Sequence, residues 1–262
     1  MKAIRADFPT DWTHANVYTL SDLHLGDPQA LNSIIKRRLL DAEQDPHGLV
    51  ILNGDLLNTA LRHSVSDVYG ELMSPMEQMQ EMVELLRPLR DKIIGVTAGN
   101  HENRIYKSDG IDVTRLICRE LGVEDKYAPD GVLIFLRFGT RNGHGRHIDK
   151  NPRQWYSIYT THGSGGGRKE GAKAIRLADL ATIVDADIYI SGHTHLPMIM
   201  KQSYFRGDPG NCSVKQVTKL FVNAAATLAY GGYGQAQGFK PACTDTPVIH
   251  LEAEHKRMSA TM

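Results

Sequence analysis

Short apolar runs alternate with helix-like stretches along the first half of the chain. Residues 16–20 (NVYTL), 48–52 (GLVIL) and 93–98 (IIGVTA) are continuous apolar or β-branched runs, a pattern that predicts buried strands. Between them, residues 30–40 and 74–87 carry helical spacing. The second of these opens with Ser74 as N-cap, Pro75 in the first turn and Glu77 completing a capping box. Its Met76, Met79, Val83 and Leu86 recur at intervals of a helical turn and are read as core packing. A further helix is predicted over residues 112–121, stopped by Gly122.

The second half is richer in strands, predicted over residues 132–138, 155–161, 187–191, 198–205, 219–224 and 247–252. One helix, about residues 169–183, comes after the glycine cluster at 163–167. No internal repeat or linker divides the chain, so residues 1–262 are expected to form one mixed α/β domain. Ligands in such folds sit beyond the C-terminal ends of the strands.

The candidate chemistry lies at the C-terminal ends of the predicted strands. Residues 16–20 lead into Ser21-Asp22-Leu23-His24, 48–52 into Asn53-Gly54-Asp55, and 93–98 into Gly99-Asn100-His101-Glu102-Asn103-Arg104. Residues 155–161 lead into His162-Gly163, and 187–191 into Gly192-His193-Thr194-His195. If these strands lie side by side in one sheet, all five groups meet at one edge. Imidazole, carboxylate and carboxamide oxygen together suit divalent borderline metals. Asp22 and His24 are two apart, as are His193 and His195, so on extended backbone each pair points to one side. Any one of these short motifs is common by chance; five in a row after apolar strands are not.

The set resembles the calcineurin-like metallophosphoesterase superfamily, whose pattern is D-x-H, G-D, G-N-H-[ED], a lone H and G-H-x-H. Asp22/His24, Gly54-Asp55, Gly99 to Glu102, His162 and Gly192 to His195 supply it in order. The resemblance implies a four-layer α/β/β/α sandwich of two mixed β-sheets flanked by helices. It implies two divalent ions, with Asp22, His24 and His195 on the first and Asn100, His162 and His193 on the second. Asp55 would bridge both, and His101 would stay off the metals as a catalytic general acid. The activity implied is hydrolysis of phosphate esters, as phosphodiesterase or phosphatase, by in-line attack of a metal-bridging hydroxide. With no cysteine in the set, manganese is the first expectation, and iron, zinc or nickel stay open.

Arg104 is a candidate substrate contact, because the run GNHENR is similar to the GNHE-x-R run of phosphoprotein phosphatases. Those enzymes also carry an Arg after G-D, whereas Asp55 here is followed by Leu56-Leu57-Asn58-Thr59. The chain therefore does not read as a plain protein phosphatase. His63 is a further candidate for the site, and Tyr69, Tyr230 and Tyr233 are candidates to flank a substrate. The loop HGSGGG at 162–167 is neither a phosphate-binding G-K-[ST] loop nor a G-x-S-x-G elbow. It either offers amides to phosphate or only gives His162 clearance.

Composition narrows the class. The 262 residues balance 30 Lys+Arg against 30 Asp+Glu, which excludes a generally basic nucleic-acid coat. Nine Lys/Arg nevertheless fall between Arg137 and Arg176 against only Asp149 and Glu170. That segment favours phosphodiester or nucleotide substrates, with nucleic acid as a candidate partner. The alternatives are a DNA exonuclease or endonuclease of the same superfamily and, in another class, a non-catalytic binding scaffold. No apolar run approaches the ~18–20 residues that span a bilayer. The opening MKAIRADFPTDW lacks a secretory apolar stretch, and the 3 cysteines are far apart, so no membrane partner and a reducing cytoplasm are expected.

Overall fold

Two β-sheets face each other across an apolar interior, and helices cover both outer surfaces. The structure, a computed structural model, describes residues 1–262 apart from 63, 65, 66, 141–153 and 168. In chain order the elements are β1 (Lys2–Pro9), β2 (His14–Leu20), α1 (Asn32–Gln44), β3 (Gly48–Asn53), α2 (Pro75–Leu86), β4 (Ile93–Thr97), α3 (Glu102–Asp109), α4 (Val113–Leu121) and β5 (Val132–Thr140). There follow β6 (Trp155–Thr160), α5 (Glu170–Asp179), β7 (Ile188–Ser191), β8 (Met198–Asp208), β9 (Ser213–Asn223), α6 (Gly232–Ala236), β10 (Val248–Glu252) and β11 (Met258–Thr261).

One sheet has the order β11-β10-β2-β3-β4, the other β1-β5-β6-β7-β9-β8. β2, β3 and β4 run parallel and β10 returns antiparallel to β2. β6, β7 and β9 run parallel, with β5 and β8 antiparallel to their neighbours β6 and β9. Both sheets are thus mixed. Every residue of β3 and β4 is buried, which explains their continuous apolar runs: sheet lies on one face and helix on the other.

The core has three parts. Between the sheets, Val17, Ile51 and Ile249 meet Ile134, Ile158 and Val222. Outside the five-stranded sheet, Leu20, Leu52 and Val96 receive Ile35, Met82 and Ile117 from α1, α2 and α4. Outside the six-stranded sheet, Tyr159, Tyr189 and Phe221 receive Leu177 and Leu180. These are the four layers α/β/β/α expected from the sequence. Each side chain buried this completely contributes about 1.5–3 kcal/mol of hydrophobic stabilisation.

The local signals of α2 act as read. Ser74 accepts the Glu77 N–H while Glu77 accepts the Ser74 N–H at 2.8 Å, closing the capping box. Met79, Val83 and Leu86 pack into the core as expected, but Met76 does not. Met76 is 59% exposed, and Gln78 and Met82 are buried alongside Val83 and Leu86. α4 is capped by Asp112 and stopped by left-handed Gly122, as its spacing predicts. Besides the short helix α6, three elements were not expected. β1 alternates apolar and polar residues and takes the sheet edge beside β5; β11 is a short edge strand; α3 starts within the G-N-H-E run itself. Among the described residues, no helix is long and apolar enough to cross a membrane.

Candidate metal centre

The polar motifs follow strands from two sheets rather than one. Asp22 and His24 follow β2, Asp55 follows β3, and Asn100 and His101 fall between β4 and α3. His162 follows β6, and His193 and His195 follow β7. β2, β3 and β4 are neighbours in one sheet and β6 and β7 in the other, so the facing layers bring five strand ends together.

The loops do not continue as extended strand. Asp22, His24, Asp55, His193 and His195 all have positive φ, between 48° and 62°. The two-residue spacing therefore acts through paired left-handed turns, not through the pleat assumed from sequence. Left-handed backbone in residues with a Cβ is costly, and its concentration here marks a site whose surroundings hold it in place. Two glycines show how tightly. A Cβ on Gly192 would lie 2.2 Å from Ser21 Oγ and 2.5 Å from Asp22 Oδ2. One on Gly99 would lie 2.1 Å from both the backbone N and Oδ1 of Asp55.

The side chains face one another closely. His195 Nε2 lies 3.2 Å from Asp22 Oδ1 and 3.2 Å from His24 Nε2. His162 Nε2 lies 3.1 Å from Asp55 Oδ2 and 3.1 Å from Asn100 Oδ1, which is also 2.7 Å from His193 Nδ1. Three overlapping donor groups result: Asp22, His24 and His195; His24, Asp55 and His101; and Asp55, His162 and His193, each within 4.8 Å. All seven residues expected as ligands thus gather in one place. His101 stands beside Asp55 at 3.9 Å, its Nδ1 2.8 Å from the Asn58 carbonyl. Arg104, on α3, donates to His101 Nε2 at 3.0 Å and to the same Asn58 carbonyl at 3.4 Å.

The sequence model described as calcineurin-like phosphoesterase matches residues 15–197. The chain belongs to that family. At this general level the phosphoesterase is metal-dependent and a hydrolase by type. No curated protein matches the chain. Solved structures similar to this phosphoesterase include Vps29 of Cryptosporidium parvum, 15% identical, covering 95% of this chain and 98% of its own, with a TM-score of 0.43. A metallophosphoesterase of Sphaerobacter thermophilus is 13% identical over 94% of this chain and 88% of its own, with a TM-score of 0.40. Vps29 of Entamoeba histolytica complexed with zinc is 14% identical over 94% and 97%, with a TM-score of 0.36.

The phosphoesterase holds these loops with residues to which sequence reasoning assigned no part in the centre. Glu102 is buried and its carboxylate accepts the backbone N–H of Asp55, Leu57 and Gly99 at 2.9–3.0 Å. Asn53 O accepts from His162 Nδ1 at 2.7 Å and from Ser21 Oγ, whose hydroxyl lies 2.6 Å from Asp22 Oδ2. Lys173 donates to Thr194 O at 2.8 Å, and Asn223 Nδ2 donates to Thr194 Oγ1 at 3.0 Å and to Leu196 O at 2.7 Å. A polar residue fully buried between apolar neighbours is the one signal that sequence could have given, and it needs the helix face to be known first.

Of the other candidates, Tyr69 and Tyr230 are exposed, while His63 and the side chain of Tyr233 lie outside the described residues. Five of the nine basic residues of the 137–176 segment, Arg141, Arg146, Lys150, Arg153 and Arg168, also lie outside them. Arg137 pairs with Asp7 at 2.8 Å, and Arg176 donates to Ser164 O at 2.6 Å and to Gly166 O at 3.3 Å. A Cβ on Gly163 would sit 2.6 Å from Ser191 Oγ, so clearance beside His162 is a demand this loop meets.

Burial and charge oppose each other throughout the centre. Burial alone would raise Asp22, yet the hydrogen bond with His195 and the nearby His162 hold its carboxyl at about 2. Asp55 is likewise held well below the usual range, its burial outweighed by His162, His101 and His24. Burial works against a charge on His162, but Asp55 overcomes it and pushes the imidazole up to about 10. Burial takes His101 down to about 4, and Arg104 adds to that while Asp55 resists. Burial and Asp55 together lift Glu102 to about 7. Two ionised carboxylates amid five imidazoles and one carboxamide oxygen, all nitrogen or oxygen donors, suit divalent cations. Among the described residues the buried Nδ1 of His24 has no hydrogen-bond partner, and its Nε2 meets His195 Nε2 at 3.2 Å.

Proposed function

We propose that the chain hydrolyses phosphate esters at a pair of divalent ions. Asp22, His24 and His195 would hold one, Asn100, His162 and His193 the other, with Asp55 between them. The observation that carries this reading is the place of Asp55, which belongs both to the donor group with His24 and to that with His162 and His193. Bound there, the ions would supply Lewis acidity and lower the pKa of water. Manganese is the first choice for a set of nitrogen and oxygen donors without thiolate.

The protein's own part is to place the ester and manage a proton. Arg104 offers a guanidinium suited to bidentate contact with phosphate. His101 gives its Nδ1–H to the Asn58 carbonyl, which leaves Nε2 to face the substrate. A phosphate seated against Arg104 replaces Nε2 as the acceptor of that guanidinium, and negative charge beside the ring favours its protonated form. Nε2 then passes the proton to the leaving oxygen, a role typically contributing about 10²–10⁴-fold.

Phosphodiesters and nucleotides come first among substrates on the charge of the 137–176 segment. Residues 1–262 work as one domain in this reading, because β10 pairs with β2, the strand that leads into Asp22, and β11 pairs with β10. Free Cys118, Cys212 and Cys243 suit a reducing cytoplasm. The test removes metal with a chelator, restores ions one at a time, and screens phosphomonoesters, phosphodiesters, cyclic nucleotides and DNA. Activity should vanish without ions, return with manganese, and stay absent in Asp55→Asn. Full activity in the ion-free protein or in Asp55→Asn overturns the reading, and preferential cleavage of DNA turns it into that of a nuclease.

A further inference from the structure

We infer that Gln78 is a positioning residue for His101, acting through the peptide bond between Asn58 and Thr59. The inference rests on the proposed proton transfer from His101. Gln78 sits on the inner face of α2 with no exposure, among Met82, Val83 and Leu86. A carboxamide in that place is costly unless its hydrogen bonds are made. All are: Oε1 accepts the N–H of Asn58 at 3.1 Å and of Thr59 at 2.9 Å. Nε2 donates to Met73 O at 2.9 Å and to Glu71 Oε2 at 2.5 Å. Glu71 also accepts from the Asn58 side chain.

Peptide geometry links the carboxamide to the histidine. The bond between Asn58 and Thr59 is trans, so its N–H and C=O point in opposite directions in one plane. Gln78 Oε1 holds the N–H, and the C=O is thereby aimed at His101 Nδ1, 2.8 Å away. Left to itself this backbone would turn elsewhere, because Thr59 is β-branched and sits at φ 43°. Thr59 Oγ1 donates to His101 O at 2.7 Å, a second tie between the same turn and the same histidine. The Gln78 carboxamide also backs the first motif: a Cβ on Gly26 would meet Nε2 at 2.3 Å. One buried carboxamide thus spans two site loops and, through the Asn58 carbonyl, fixes the tautomer that leaves Nε2 facing the ester.

The experiment uses the manganese-loaded full chain and two esters of one phosphate group, a nitrophenyl ester and an alkyl ester whose leaving oxygen needs a proton. His101→Ala sets the reference: a loss on the alkyl ester at least about tenfold greater than on the nitrophenyl ester. Gln78→Met, which removes the acceptor at similar length, should show the same selective loss with bound manganese unchanged. Nitrogen-15 spectra of the imidazoles, recorded with diamagnetic zinc in place of manganese, should find His101 as the Nδ1–H tautomer in the native protein and as a mixture in Gln78→Met.

Equal losses on both esters in Gln78→Met, beside a selective loss in His101→Ala, overturn this inference and leave the role of His101 standing. Equal losses in His101→Ala itself overturn both. If Gln78→Met does not fold, the native spectrum still decides, since an Nε2–H tautomer contradicts the relay.

Discussion

The Glu102 carboxylate accepts the backbone N–H of Asp55 at 3.0 Å, so the residue after G-N-H holds the residue after the second motif's glycine. With Leu57 and Gly99 also bound, no oxygen of this carboxylate can become an amide nitrogen without facing a donor. Glu102→Gln is expected to lower unfolding stability by about 1–3 kcal/mol, the cost of an orphaned buried N–H. Urea denaturation of the ion-free protein measures it, and a change below about 0.5 kcal/mol would show that the clamp is dispensable.

His162 should release a proton when an ion binds. In the ion-free protein, burial disfavours its charge but Asp55 prevails and raises it to about 10, so at pH 8 the ring is protonated. A metal ligand must be the neutral ring. Apparent affinity should therefore rise with pH, by about tenfold per unit for one proton displaced, and level off above pH 10. Calorimetry at pH 8 in buffers of different ionisation enthalpy counts the proton directly, and a count of zero contradicts the expectation.

Gly192→Ala should expel the first ion. The added methyl would overlap Ser21 Oγ and the Asp22 carboxylate at 2.2 and 2.5 Å, and Asp22 has no room to retreat inside its buried turn. A drop of about 10–100-fold in metal affinity is expected, the scale seen when groups orienting a ligand are disturbed. Metal content after gel filtration reads it; stoichiometry equal to that of the native protein would refute it.

Arg104→Ala should raise KM for a phosphate ester by about tenfold, as for loss of a charge-assisted contact. Because Arg104 also donates to His101 Nε2 at 3.0 Å, kcat should change too, and more for a poor leaving group. Steady-state kinetics on a nitrophenyl and an alkyl ester separate the two effects. Unchanged KM on both removes Arg104 from the substrate site.

Met82→Ala should cost about 2–5 kcal/mol and Met76→Ala less than about 0.5, because the first is fully buried and the second is 59% exposed. Thermal unfolding compares them, and equal costs would return Met76 to the buried face.

That helix shows what the sequence could and could not convey. Its boundaries were legible because Ser74, Pro75 and Glu77 are local devices, each acting within one turn. Its buried face was legible only in part: Met79, Val83 and Leu86 turn inward, but the apolar period admits Met76 as readily as Met82, and only the site loops explain a buried Gln78. The same division runs through the centre. Asp22, His24, Asp55, Asn100, His162, His193 and His195 were legible because each belongs to a short polar motif directly after an apolar strand. The left-handed turns at Asp22 and His24 were not, since their backbone N–H groups are held by the carbonyls of Gly54 and Asp55, and Asp22 is tied further to Thr227 and His193, more than 170 positions away.

β10 closes against β2, with Ile249 opposite Val17. During synthesis, every donor up to His195 has left the ribosome while β2 still ends its sheet with one side unpaired. The strand that seals that side, residues 248–252, contributes no donor at all. The sheet that carries Asp22 is therefore closed only by residues that follow every member of the donor groups in the chain, and β11 in turn takes its edge.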